Sequence, residues 1–169
     1  MIGTRGESET PTAAALRAVF EHTGHAITTA PAEGTDRVDW VIHILQRREA
    51  HPDLAVLKRC RYYDQDPMTL WSGSAILRPR RGMRLTPAAL SLGYADYARA
   101  AWPVFRELAP NYRQVRLQVG IPGPTDLAAM SWGPWALARY KDEVDAALIE
   151  IAQIHDLTGG QAVYQVELP

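Results

Sequence analysis

Cysteine occurs once in the 169 residues, at Cys60, which excludes an internal disulfide and any zinc site built from several thiolates. Cys60 alternates with Leu57 and Tyr62 and reads as a small buried hydrophobe rather than a nucleophile. No stretch approaches ~18 uninterrupted apolar residues, and residues 1–10, "MIGTRGESET", carry no apolar signal core. A soluble, cytoplasmic protein is expected. Neither sign of charge dominates, with 18 Lys and Arg against 19 Asp and Glu, so no overall field favours nucleic acid or an anionic membrane. The basic run Arg78-Pro79-Arg80-Arg81 has no interleaved aromatics for base stacking and reads as a solvated turn. Nucleic acid and membrane are therefore not expected as partners.

What is present is a globular composition, 47% hydrophobic and 22% charged, on a length that suits one domain over 1–169. Thr10-Pro11 predicts a helix start, Leu16, Val19 and Phe20 recur at helical spacing, and Gly24 marks the stop. "HAITTA" (25–30) predicts a strand and "PAEG" (31–34) a loop. Asp36 can cap a second helix bearing Val38, Val41, Ile42 and Leu45, which His51-Pro52 closes. "LAVLKRCRYY" and "LWSGSAILR" predict a hairpin over about 54–78, inserted between helices. After Thr86-Pro87 one long helical pattern runs from Leu90 to Leu108, and Pro103 should kink or split it. "VRLQVGIP" (115–122) reads as a buried strand, 124–132 and 136–157 as helices, and 162–168 as a last strand.

With Ile2-Gly3 as the end of a first strand, the order is β-α-β-α-hairpin-α-β-α-β. Strands alternating with helices imply parallel pairing through right-handed crossovers. The expected fold class is thus α/β with four parallel strands. These can make a small open sheet or the first half of an eight-stranded (β/α) barrel, normally about 250 residues.

Several segments resemble the cobalamin-independent methionine synthase and uroporphyrinogen decarboxylase-like barrels, in particular their short single-barrel members. They are "QVGIPGPTDLA" (118–128), "LTPAALSLGYADYARAAWPVFREL" (85–108) and "VYQVELP" (163–169). "IGT" (2–4), "PAEGTDRVDW" (31–40) and "AHPDLAVLK" (50–58) extend the likeness over nearly the whole chain. The resemblance implies the N-terminal half of a (β/α)8 barrel with an inserted hairpin. It also implies that zinc, held by His, Cys and Glu, activates a thiol acceptor, with those ligands supplied by the C-terminal half. No cofactor is therefore expected in this chain. His22, His25, His43, His51 and His155 lack zinc-site spacing and read as surface or capping positions.

Barrel chemistry sits at the carboxyl ends of the strands. Thr4 occupies the family's Ser position and either binds a substrate carboxylate or forms a turn beside Gly3. Arg5 reads as a terminal charge. Glu33 and Asp36 lie in the loop after strand two, where the family carries an acidic turn; Asp36 is most simply an N-cap. Gln118 places an amide inside an otherwise apolar strand, where, buried, it must find partners. Gly120 and Gly123 either admit a ligand close to the backbone or only shape the bend at Pro122 and Pro124. Trp132 and Trp135 read as core, with stacking on a flat ligand as the functional alternative.

Glu167 is the sharpest candidate. Where the synthases read Gln-Ile-Asp-Glu-Pro, Gln165 and Pro169 match, Glu167 takes the Asp position and Leu168 replaces the Glu. The expected substrate-binding set is Thr4, Glu33, Gln118, Gly123 and Glu167, with no metal ligand and no catalytic residue assigned. Two functions stay open: one half of a methyltransferase- or lyase-type enzyme, or a non-catalytic assembly or small-molecule-binding module. A half-barrel exposes strand edges, so a homodimer or a complementary half-barrel chain is the expected partner. A third, trivial reading of a chain that stops after its fourth strand is a truncated product.

Overall fold

The computed structural model describes residues 10–23, 26–33, 40–61, 72–112 and 114–167. Helix α1 spans Pro11–Thr23. The Thr10 hydroxyl accepts from the Ala13 amide at 3.3 Å, and proline at the next position gives up an amide that a first turn leaves unbonded anyway. Its face buries Leu16 and Phe20, the latter ring 4.7 Å from Tyr112 and 6.1 Å from Phe105. The expected terminator Gly24 lies outside the described residues.

Strand β1 is confined to Thr29–Pro31, half the length expected from "HAITTA". The paired register with β4 covers these three residues, flanked by bonds from the Arg116 amide to Thr28 O (2.9 Å) and from the Ala32 amide to Gln118 O (2.8 Å), so Ala26 and Ile27 stay outside the ladder. Helix α2, Trp40–Ala50, buries Val41, Ile44 and Leu45, and the His51 amide closes it by donating to Arg48 O at 3.1 Å. Strands β2 (Leu54–Arg61) and β3 (Ser72–Pro79) pair antiparallel as a hairpin outside the main sheet.

The helical pattern after Pro87 breaks well before the expected point at Pro103. Thr86 caps a short 3-10 turn, Pro87–Leu90, and α3 begins afresh at Tyr94 and runs to Leu108, continuing through Pro103. The break lies at residues 91–93, not at the proline. Glu150, on a helix more than fifty residues later, accepts from the Ser91 hydroxyl (2.9 Å) and the amides of Leu92 (3.0 Å), Gly93 (2.9 Å) and Ala95 (2.8 Å). Its carboxylate does the work of an N-cap side chain for α3, from outside the helix. Gly93, at φ 81°, makes the turn possible. Pro103 is exposed, so the helix loses one internal bond on its solvent side without burying an orphaned carbonyl there.

Strand β4 is Arg116–Pro122, α4 is Pro124–Trp132, α5 is Ala136–Thr158 and β5 is Ala162–Glu167. Gly159 ends α5 in the left-handed region (φ 59°), where the Gly160 amide returns to His155 O at 2.9 Å. The parallel sheet has the order β1-β4-β5. On one face Ala30, Leu117, Val119, Ile121 and Ala162 join the helices in the main core. Each fully buried aliphatic there contributes about 1.5–3 kcal/mol relative to exposure. A second cluster sets Leu54, Ala75 and Leu77 of the hairpin against Ala128, Trp132 and Ala146 of α4 and α5.

The protein is therefore α/β, with a parallel three-stranded sheet backed by helices and an antiparallel hairpin, an arrangement compatible with a partial barrel. The strand expected at Ile2-Gly3 lies outside the described residues.

Candidate binding face at the carboxyl ends of the strands

Alternation along the strands divides the sheet. Paired residues in a parallel ladder share a face, so the register sets Thr29 and Pro31 beside Gln118, and Gln118 and Gly120 beside Val163 and Gln165. Pro122 pairs with Glu167 at the top of the same row. Every strand residue of this second face from Thr29 to Glu167 is half-buried or exposed except Pro122, whereas the opposite row is buried at Ala30, Leu117, Val119, Ile121 and Ala162 and opens only at Tyr164 and Val166 on β5.

The face is polar by construction. The Thr29 hydroxyl donates to Gln118 Oε1 at 2.7 Å, and Gln118 Nε2 donates to Gln165 Oε1. One amide thus links all three strands, which supplies the partners its position demanded. The expectation of a buried amide is corrected, because Gln118 is only half-buried.

One step further along β4, the missing side chain of Gly120 leaves a gap that two carboxylates border. A Cβ placed there would lie 3.2 Å from Glu33 Oε1 and 3.6 Å from Glu167 Oε1. Glu33 follows β1 and Glu167 closes β5, so the residues flanking the central strand converge at its carboxyl end. Gly123 has a different role. A Cβ there would lie 2.3 Å from the Glu167 carbonyl oxygen, so glycine is required for the backbone of β5 to approach, and no ligand need be invoked. Asp126, in the first turn of α4, lies 3.5 Å from the same point, and burial pushes its carboxyl above the usual range.

Of the expected set, the structure brings together Glu33, Gln118, Gly123 and Glu167. Thr4, Arg5, Gly34 and Asp36 lie outside the described residues. Trp132 and Trp135 are not on this face: Trp132 is buried with its Nε1 donating to Glu143 at 2.6 Å, and Trp135 is exposed beside the hairpin. His22 bonds to Ala18 O at 2.8 Å and His51 accepts from the Asp53 amide at 3.2 Å, so both serve local backbone. Among the described residues no group of three or more His, Cys, Asp and Glu is placed to hold a metal ion. The described residues thus offer no site that fits the zinc implied by the family resemblance, and no chemical step is derived through it.

The most buried polar cluster was not anticipated. Arg48 on α2 meets Glu143 on α5 through two parallel bonds of 2.9 and 2.7 Å, with Ser131 (2.6 Å) and Leu90 O (3.2 Å) taking further donors. The available signal was the placement of Glu143 and Glu150 on the stripe of α5 that also carries Ala146, Ala147 and Ile154. Charged residues on an apolar face of that kind are paired when buried.

Compared with family models, curated proteins and solved structures, the chain gives no match in any of the three. No helix among the described residues is long and apolar enough to cross a membrane.

Proposed function

We propose that this chain contributes the first half of a methionine-synthase-like (β/α)8 barrel, a methyltransferase-type protein whose active site a second half completes. The observation that carries the reading is the convergence of Glu33 and Glu167 at Gly120, on the polar face and at the carboxyl ends of parallel strands. In this reading that face is the inner wall of the barrel, and Ile2-Gly3 supplies a fourth strand. Two carboxylates and the outer lone pairs of an amide ladder accept hydrogen bonds, so the part of a ligand they hold is rich in donors, such as the ammonium group of an amino acid. The second half pairs along β5 either as another copy or as a complementary half-barrel, and only the complementary half-barrel brings the thiol-activating zinc. Val166, 49% exposed on β5, is covered by that pairing.

A second reading rests on Leu168, which stands where the synthases carry their second acidic residue. In it the face binds a small molecule or organises an assembly without catalysis. Material purified from its native host separates the two. A complex containing a zinc-bearing half-barrel that binds L-homocysteine, with affinity lowered by Glu167→Gln, supports the enzyme reading. The same complex without zinc and indifferent to the thiol supports the second.

A further inference from the structure

The hairpin builds a second concavity on elements that the sheet face does not use. β3 docks tightly on the end of α4: a Cβ on Gly133, which sits at φ 53°, would lie 2.7 Å from the tip of Ile76. Beside this contact a groove of about 540 Å³ opens between the hairpin and the start of α5, within the range of small-ligand sites. Leu57 and Leu77 of the hairpin line it together with Trp132, which is buried, and Trp135. The ladder slips between Val56 and Lys58, so Leu57 has no cross-strand partner and stays 45% exposed. Trp132 is fixed there, because it is held by Glu143, itself clamped by Arg48. Trp135 stands 50% exposed, a large apolar ring facing solvent.

Charge selects the occupant. The described lining carries two guanidinium groups, Arg78 and Arg139, and no carboxylate. Arg139 shares one nitrogen with Asp142 at 3.3 Å and lies 6.0 Å from the Trp132 ring centre, whereas Arg78 has no ion-pair partner among the described residues. Cationic groups beside flat apolar rings suit an anion attached to an apolar body. The geometry points to this groove as a binding site for a small organic anion with a flat aromatic body, the ring lying between Leu57 and Trp135 and the anionic group pairing with Arg78 and Arg139.

Calorimetric titration of the folded chain with 1-naphthoate tests this, with 1-naphthalenemethanol as the neutral control. Saturable binding of one naphthoate is expected, about tenfold or more tighter than the alcohol. Arg78→Gln weakens it about fivefold or more and Trp135→Ala abolishes it, in proteins whose far-ultraviolet dichroism is unchanged because both side chains are exposed. Glu167→Gln leaves it unchanged, which separates this groove from the sheet face. No saturable heat, equal affinity for the alcohol, indifference to Arg78→Gln, or sensitivity to Glu167→Gln each overturns the inference.

Discussion

Replacing Glu143 by alanine removes half of the Arg48 ion pair without touching the sheet. Arg48 is 1% exposed and Glu143 0%, so neither has water to fall back on. The variant strands a guanidinium in the core and also deletes the acceptor for Trp132 Nε1. Arg48 Nε already lacks a partner, so the cluster has no spare acceptor to offer. Leaving one charge of such a pair buried and unpaired costs about 3–5 kcal/mol. That is a large fraction of the roughly 5–15 kcal/mol by which domains are stable. At about 2–4 °C per kcal/mol for a chain of this size, the midpoint should fall by about 6–20 °C. Removing both charges together, as Arg48→Met with Glu143→Leu, should recover most of the loss, because the desolvation of both ions disappears with the pair. Urea and thermal unfolding of the two variants beside the parent protein measure this. A single variant within about 1 kcal/mol of the parent, or a double variant no better than the single, would refute the argument that the network is buried and tightly coupled.

Gly123→Ala should destabilise by about 1–3 kcal/mol, since its methyl would collide with the β5 backbone, whereas Gly120→Ala meets only side-chain oxygens and should cost less; urea midpoints compare the two. Glu150→Ala leaves three amides at the start of α3 without their acceptor and should cost about 2–4 kcal/mol. Hydrogen exchange at Leu92, Gly93 and Ala95 should quicken in that variant before the rest of α3 responds. Burial raises the Asp126 carboxyl above its ordinary 3.8, so the folded state binds the proton more tightly than the unfolded one. The parent protein should therefore lose stability relative to Asp126→Asn as pH rises through and above that ordinary value, and the difference should vanish at lower pH. Unfolding of both proteins at about pH 3 and about pH 7 reads it.

Elements whose signals are local were legible in the sequence. Thr10-Pro11 starts α1 and Gly159 ends α5, because caps act within a turn of the residues that encode them. β4 was legible as a strand but reads from sequence as buried throughout, and the half-open face of Gln118 and Gly120 emerges only from its pairing with β1 and β5. The split before α3 was missed because its acceptor, Glu150, lies on another helix, and Pro103 rather than Gly93 reads as the breaker. Length failed for β1, where the extent of pairing with β4 decides, and residue propensity does not. At the site, Glu33 and Glu167 were named from a family likeness and from their places after strands. That they border the same glycine depends on the order β1-β4-β5, with the central strand contributing no side chain there. The Arg48 cluster needed three helices to meet, and no single segment encodes that.

The central claim is that the polar face carrying Glu33 and Glu167 is one wall of a barrel that a second half closes. Sedimentation velocity at micromolar concentration, on protein purified from its native host, tests this most directly. The account predicts a discrete species of about twice the single-chain mass or more, containing a second copy or a complementary half-barrel. It also predicts that a charge placed on the β5 edge, as in Val166→Lys, dissociates that species without unfolding α5. A well-folded, non-aggregating single chain, indifferent to Val166→Lys, would contradict it.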